Sequence, residues 1–280
     1  VCKKDIQMKT FYQILANTLL ANVTNMTVWF AMIFFIYLET QSVTATSIVS
    51  GIYLVAVAAS GIWFGSLVDH NKKKNIMLLS GFISLVIYSI GFVVYTSTPA
   101  ETWKNPTSVT LWVFVPLLLL GVIAGNLRSI ALPTLVTILI PEDARDKANG
   151  LVGTTTGIIF LITSAVSGFL VGHSGMYLVL ILAMLVMALS IVHLFAMPIP
   201  ENEIVHLDGK PGKVDLRGTF AVVVAIPGMI ALIFFTTFNN FLGGVFMGLM
   251  DAYGLSLVSV QVWGVLWAVL SCGFIVGGLF

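Results

Sequence analysis

The chain is predicted to fold as an all-α membrane protein with about eight spanning helices. Three observations carry this prediction. Hydrophobic residues fill 58% of the 280 positions and charged residues 9%. The mean hydropathy is +1.03. The apolar residues also gather into runs of about twenty or more, the length needed to cross the hydrocarbon core of a bilayer. So few polar side chains could not cover a water-exposed surface. The net charge of +1 is uninformative as a sum, and the charge pattern offers no basic face for nucleic acid. Cys2 and Cys272 stand at opposite ends of the chain and suggest neither a disulfide framework nor a thiolate metal site.

The spans are expected at residues 10 to 38, 43 to 68, 75 to 96, 109 to 139, 148 to 172, 175 to 196, 219 to 250 and 256 to 280. Basic residues in the gaps set their direction, because lysines and arginines accumulate on the cytoplasmic side. A cytoplasmic N-terminus places Lys3, Lys4, Lys9, Lys72, Lys73, Lys74, Arg145, Lys147, Lys210, Lys213 and Arg217 together inside, which is 11 of the 13 basic residues. Lys104 falls on the other side, and Arg128 falls within a span. The expected location is the cell membrane, multi-pass, with the lipid bilayer as first partner. The first apolar segment is too long for a signal peptide.

Residues 197–218 form the long polar stretch, where Pro198, Pro200, Gly209, Pro211 and Gly212 break any helix. It divides the chain into an N-terminal six-helix bundle at 1–196, a cytoplasmic linker at 197–218 and the first two helices of a second bundle at 219–280. A parallel repeat should then cross the linker. Sliding the chain by 212 positions pairs Gly61 with Gly273, Gly65 with Gly277, Ser47 with Ser259 and Glu39 with Asp251. The chain begins Val1-Cys2 without methionine and ends inside an apolar run at Phe280, so a truncated C-terminal bundle is expected.

The densest information lies in Gly65-Ser66-Leu67-Val68-Asp69-His70-Asn71-Lys72-Lys73-Lys74. Gly61 and Gly65 give one helix face a smooth strip for close packing. Asp69 and the lysines cannot sit in hydrocarbon and so mark a turn in water. Gly-x-Leu-x-Asp followed by a basic cluster resembles the loop between the second and third helices of the major facilitator superfamily, with His70 and Asn71 standing where that family often has Arg and Gly. The resemblance implies two six-helix bundles that rock against each other, with Gly65, Asp69, Lys72 and Lys73 forming a hinge or latch. Pro141 to Gly150 resembles the fourth-to-fifth loop of macrolide and siderophore efflux proteins in that superfamily, and makes Arg145 a gate residue.

Within the spans, Thr18, Asn22, Asn25 and Trp29 share one face of the first helix, and Thr236, Asn240 and Gly243 have matching spacing in the seventh. A polar stripe on a membrane helix either bonds its neighbours or lines a wet cavity. The resemblance implies the cavity, so Asn22, Asn25, Trp29 and Asn240 are expected along the substrate pathway. Arg128 joins them as a charge inside the bilayer. Gly153, Gly157, Ser164, Gly168 and Gly172 form a small face on the fifth helix, which is expected to pack closely, as are Gly61, Gly273 and Gly277. Glu39, Asp69 and Asp251 are read as span-end residues, leaving no buried acid for proton coupling.

An integral membrane enzyme is disfavoured, because no His, Asp or Glu cluster has metal-ligand spacing and no nucleophile stands beside a base. A receptor or scaffold would need a soluble domain larger than these loops. The expected function is secondary transport: efflux of a small amphipathic molecule coupled to protons, by a monomer without cofactors. Uptake of a small polar solute is the alternative.

Overall fold

The structure is a computed structural model that describes residues 2–199 and 216–279. Among these residues the helices are α1 (Cys2–Thr40), α2 (Val43–His70), α3 (Lys73–Ser97), α4 (Ala100–Trp103), α5 (Val109–Leu139), α6 (Arg145–Ser174), α7 (Tyr177–Ala196), α8 (Leu216–Ala225), α9 (Met229–Leu257) and α10 (Val260–Leu279). Glu142–Ala144 is a tight 3₁₀ turn leading into α6. Helices suit this composition, because each satisfies its own backbone polar groups where no water can. Seven apolar helical stretches among the described residues are long enough to cross a membrane, and Val260–Gly273 of α10 adds a shorter one. The all-helical fold agrees with the hydropathy pattern.

The helices end where the sequence provides stops. Gln41 takes a left-handed φ of 51°, and the Ser42 hydroxyl accepts the Ala45 N–H at 3.2 Å to start α2. Gly175, with φ of 57°, turns α6 into α7. The predicted seventh span, 219 to 250, requires correction. It is broken between α8 and α9, because Pro227 has no N–H to donate and Gly228 takes φ of 80°. α9 then continues beyond 250 to Leu257. Most of the predicted linker, residues 200–215, lies outside the described residues.

α1 sits at the centre, packed against α2, α5, α6, α7 and α9, while α3 fills the space between α5 and α7. Two apolar clusters hold these helices. One gathers Phe11, Ile14, Met77, Leu135, Leu139 and Leu194 near the lysine-bearing α2–α3 turn. The other includes Phe35, Trp103 and Phe114 towards the opposite end, where Tyr95 stacks on Trp103 with ring centroids 5.6 Å apart. Outward-facing Trp63, Leu189 and Phe195 are exposed, as suits a chain whose solvent is lipid.

α10 lies along α6 through a seam of small residues. Gly168 and Gly264 face each other there. A Cβ on Gly168 would stand 2.5 Å from the Val260 carbonyl oxygen, and one on Gly264 would stand 2.5 Å from that of Ser164. Gly157 is buried in the same helix. On the small face predicted for this helix, α10 comes close at Gly168 and Gly172. Gly61, Gly65 and Gly273 differ: glycine spacing marks what could be approached, and among the described residues nothing comes within 4 Å of a Cβ at these three. The surroundings of Gly277 lie outside what is described.

The register of the repeat also needs correction. The turns fall at Gln41–Ser42 and at Val258–Ser259. Ser42 and Ser259 do the same work, each hydroxyl accepting an N–H three residues on, at 3.2 and 3.4 Å. Ser42 to Ser259 is 217 positions rather than 212. Glu39 therefore stands in the last turn of α1, whereas Asp251 stands well inside α9, and the two are not counterparts.

Candidate functional site

At the lysine end, the α2–α3 turn is tied down locally. The Asn71 amide donates to the Leu67 carbonyl at 2.9 Å, and the His70 ring lies 2.8 Å from the Ser66 carbonyl, so both side chains satisfy the open end of α2. Lys73 Nζ donates to Asn71 O at 3.3 Å. Lys74 Nζ reaches across to α7, donating to Phe195 O and Met197 O at 3.1 and 2.6 Å. That is a cation on the negative end of a helix dipole. Arg145 does not meet this turn. Its guanidinium donates to Thr137 O and Ile140 O, capping the end of α5. Among the described residues, the ion pair is Lys104–Glu101 at 2.7 Å, on the exposed loop between α3 and α5, and Asp69 is not part of one. The Glu101 carboxylate raises the Lys104 pKa from its ordinary value.

Arg128 is fully buried where α1, α3, α5 and α7 meet. Its guanidinium donates to Asn17 Oδ1 and, at 3.0 Å, to Met77 O. Asn17 uses its whole amide: Oδ1 also accepts from the Ser190 hydroxyl at 3.4 Å, while Nδ2 donates to Ser190 O at 2.7 Å and meets His193 Nδ1 at 3.0 Å. Asn17 was absent from the predicted stripe, since it lies off the Thr18, Asn22, Asn25 face. An asparagine in an apolar run was nonetheless a signal.

Asn22 and Asn25 line a cavity of about 180 Å³ between α1, α2, α5 and α6, with Tyr53, Asn126 and Thr156. Tyr88 donates its hydroxyl to Asn25 Oδ1 at 2.6 Å, and Gly125 lets the Asn25 amide pass close to α5. Trp29 packs on Tyr53 with centroids 4.2 Å apart. This volume is below the roughly 300 Å³ at which small-molecule pockets begin and suits a few waters. Asn240 lines a larger space of about 590 Å³ between α2 and α9, with Ser47, Ser50, Leu54, Thr237 and Phe241. The structure thus brings Asn22 and Asn25 together, puts Asn240 on a separate, open groove, and leaves Arg128 lining neither.

Asp251 requires the largest correction. Expected at a span end, it is only 6% exposed within α9. Trp263 Nε1 and Trp267 Nε1 both donate to its Oδ1, at 2.9 and 2.7 Å. The two tryptophans are four apart on α10 and so share a face. Gly254 makes room for them, since a Cβ there would strike the Trp263 ring.

A family model described as Major Facilitator Superfamily matches residues 14–280 of the chain. No curated protein and no solved structure matches it.

Proposed function

The chain belongs to the Major Facilitator Superfamily, whose members are secondary transporters, and on that premise we propose that it exports a small amphipathic molecule in exchange for protons by alternating access. The observation that carries this reading is the space of about 590 Å³ between α2 and α9. Its walls are mainly apolar, with the Asn240 amide and the hydroxyls of Ser47, Ser50 and Thr237 spaced along them. Such a lining suits a molecule with a large apolar body and a few hydrogen-bonding groups, and serves a polar solute poorly. α1–α7 and α9–α10 act as parts of two bundles, with the N-terminus and lysine end on the cytoplasmic side. Gly65, Asp69, Lys72 and Lys73 serve as the hinge, and the capped ends of α2 and α7 support its stiffness. Asn22 and Asn25 extend the wet pathway beside α5.

The test is accumulation of fluorescent lipophilic cations and macrolides in efflux-deficient bacterial cells producing the protein, with and without a protonophore. Lowered accumulation that the protonophore, Asp69→Asn and Asn240→Leu each reverse is the expected result. Unchanged accumulation across the panel overturns export of this class and directs attention to uptake of polar solutes.

A further inference from the structure

We propose that Asp251 is the carboxylate that binds the coupling proton, in a site closed by the indoles of Trp263 and Trp267. The inference rests on the proton-coupled reading above and gives it a residue.

An acid inside a membrane helix is costly unless a cation, a proton or water compensates it. Asp251 is buried, and among the described residues no cation pairs with it. Its partners are two indole N–H groups, both on Oδ1. Among the described residues, the packed elements bring no other charge into contact with it. The α10 sequence contains no Asp, Glu, Lys, Arg or His. From α2, the Ser47 hydroxyl donates to Gly248 O at 2.9 Å one turn away, Tyr53 lies against Trp29, and Asp69 and His70 are at the far end. From α1, Tyr37 is buried at the same end, and Glu39 stands half-buried in the last turn, with Lys104 and Glu101 as its charged neighbours. Tyr253 on α9 and His173 at the end of α6 are both exposed. Among the described residues neutral dipoles alone face the carboxylate, and a proton is a charge that completes it without needing further ligands.

Trp267 also links this site to α1. The Trp267 ring lies 5.8 Å from Phe30 of α1 and 6.5 Å from Phe246 of α9, centroid to centroid. Separating α1 from α10 removes Phe30 from that ring and brings water towards Asp251. The neutral acid suits the closed arrangement and the carboxylate the wet one, so proton uptake from the aqueous phase favours closure and opening favours release. Gly248, three residues before Asp251, lines the groove between α2 and α9, so the occupant of that groove would lie one helical turn from the proton.

Infrared spectroscopy of the purified protein in lipid nanodiscs, titrated from about pH 4 to about pH 9, reads this directly, since that range brackets the usual carboxylate and histidine transitions. Wild type is expected to show a protonated-carboxyl band that titrates and is absent from Asp251→Asn. Trp267→Phe keeps the acid but deletes a donor that favours the anion, so the midpoint moves up by about one to two pH units. A titrating band unchanged by Asp251→Asn, or a midpoint unmoved in Trp267→Phe, overturns the assignment. Trp267→Phe remains informative if Asp251→Asn does not fold. Protonophore-sensitive export with a silent Asp251 sinks this site alone. A titrating Asp251 with protonophore-insensitive export sinks the proton-coupled reading, and this site's coupling role with it.

Discussion

Arg128 and Asp251 are both buried charges held by neutral groups, yet they differ in the one property that matters for movement. The guanidinium keeps its proton under any physiological condition, so the dipoles of Asn17 and Met77 must support a permanent cation. The carboxylate can exchange its charge with water whenever the tryptophan cover shifts. One network binds α1, α3, α5 and α7 together, and the other spans α9 and α10 and reaches α1 through Trp267. A buried charge that cannot be discharged builds a scaffold, whereas one that can be discharged is available for work.

The strongest way to break the comparison is to treat the two partners of the first network separately. Asn17→Leu leaves the guanidinium buried with fewer acceptors and should cost about 3–5 kcal/mol, the range for stranding a buried charge. Arg128→Met removes the charge as well and should cost less, about 1–3 kcal/mol for the acceptors it orphans. Thermal unfolding of both variants in detergent decides it. A larger loss for Arg128→Met would mean that the cation stabilises more than its acceptors do.

Gly168→Leu acts on the second network from a distance. Its side chain would collide with the Val260 carbonyl and push α10 from α6, carrying Trp263 and Trp267 with it. Overpacking of this kind costs about 1–3 kcal/mol, and the change in indole environment should appear as a shift in tryptophan emission. An unshifted spectrum would show that the seam and the carboxylate site are independent.

The smallest effect is expected at Lys104 and Glu101, a pair exposed on a loop. The carboxylate raises the lysine pKa, so any stabilisation is present below the ordinary lysine value near pH 10.4 and fades as pH rises through the higher folded value. Glu101→Gln should leave the melting temperature unchanged at neutral pH and flatten its fall in alkaline buffer. A marked loss at neutral pH would contradict the view that charges in water contribute little.

Much of this was legible in the sequence, because lipid demands long apolar runs and tolerates few other patterns. The second span, read as 43 to 68, is α2 at Val43–His70, and the small face of the fifth span does meet a neighbouring backbone at Gly168. The break at Pro227-Gly228 was also written in the residues, but the apolar run passes straight through it and hydropathy outweighed turn chemistry. The predicted offset of 212 differs by five from the 217 positions between the capping serines Ser42 and Ser259, because apolar stretches share identities by chance whereas caps mark where helices begin. Asn17 and Asp251 were harder to read. Their significance depends on which residues of other helices face them, and no spacing within one helix specifies that.

The seam between α6 and α10 also bears on how the chain is made. Gly168 and Gly264 are separated by about a hundred residues, so at roughly 5–20 residues per second the ribosome delivers the second about 5–20 s after the first. During that interval the α6 face has no α10 to meet. Its hydroxyls do not wait unsatisfied: Ser164 donates to Phe160 O at 2.7 Å and Thr163 to Ile159 O at 2.8 Å, both within their own helix. A newly inserted α6 can therefore rest in lipid with its polar groups already bonded, and α10 docks on arrival without first having to break those bonds.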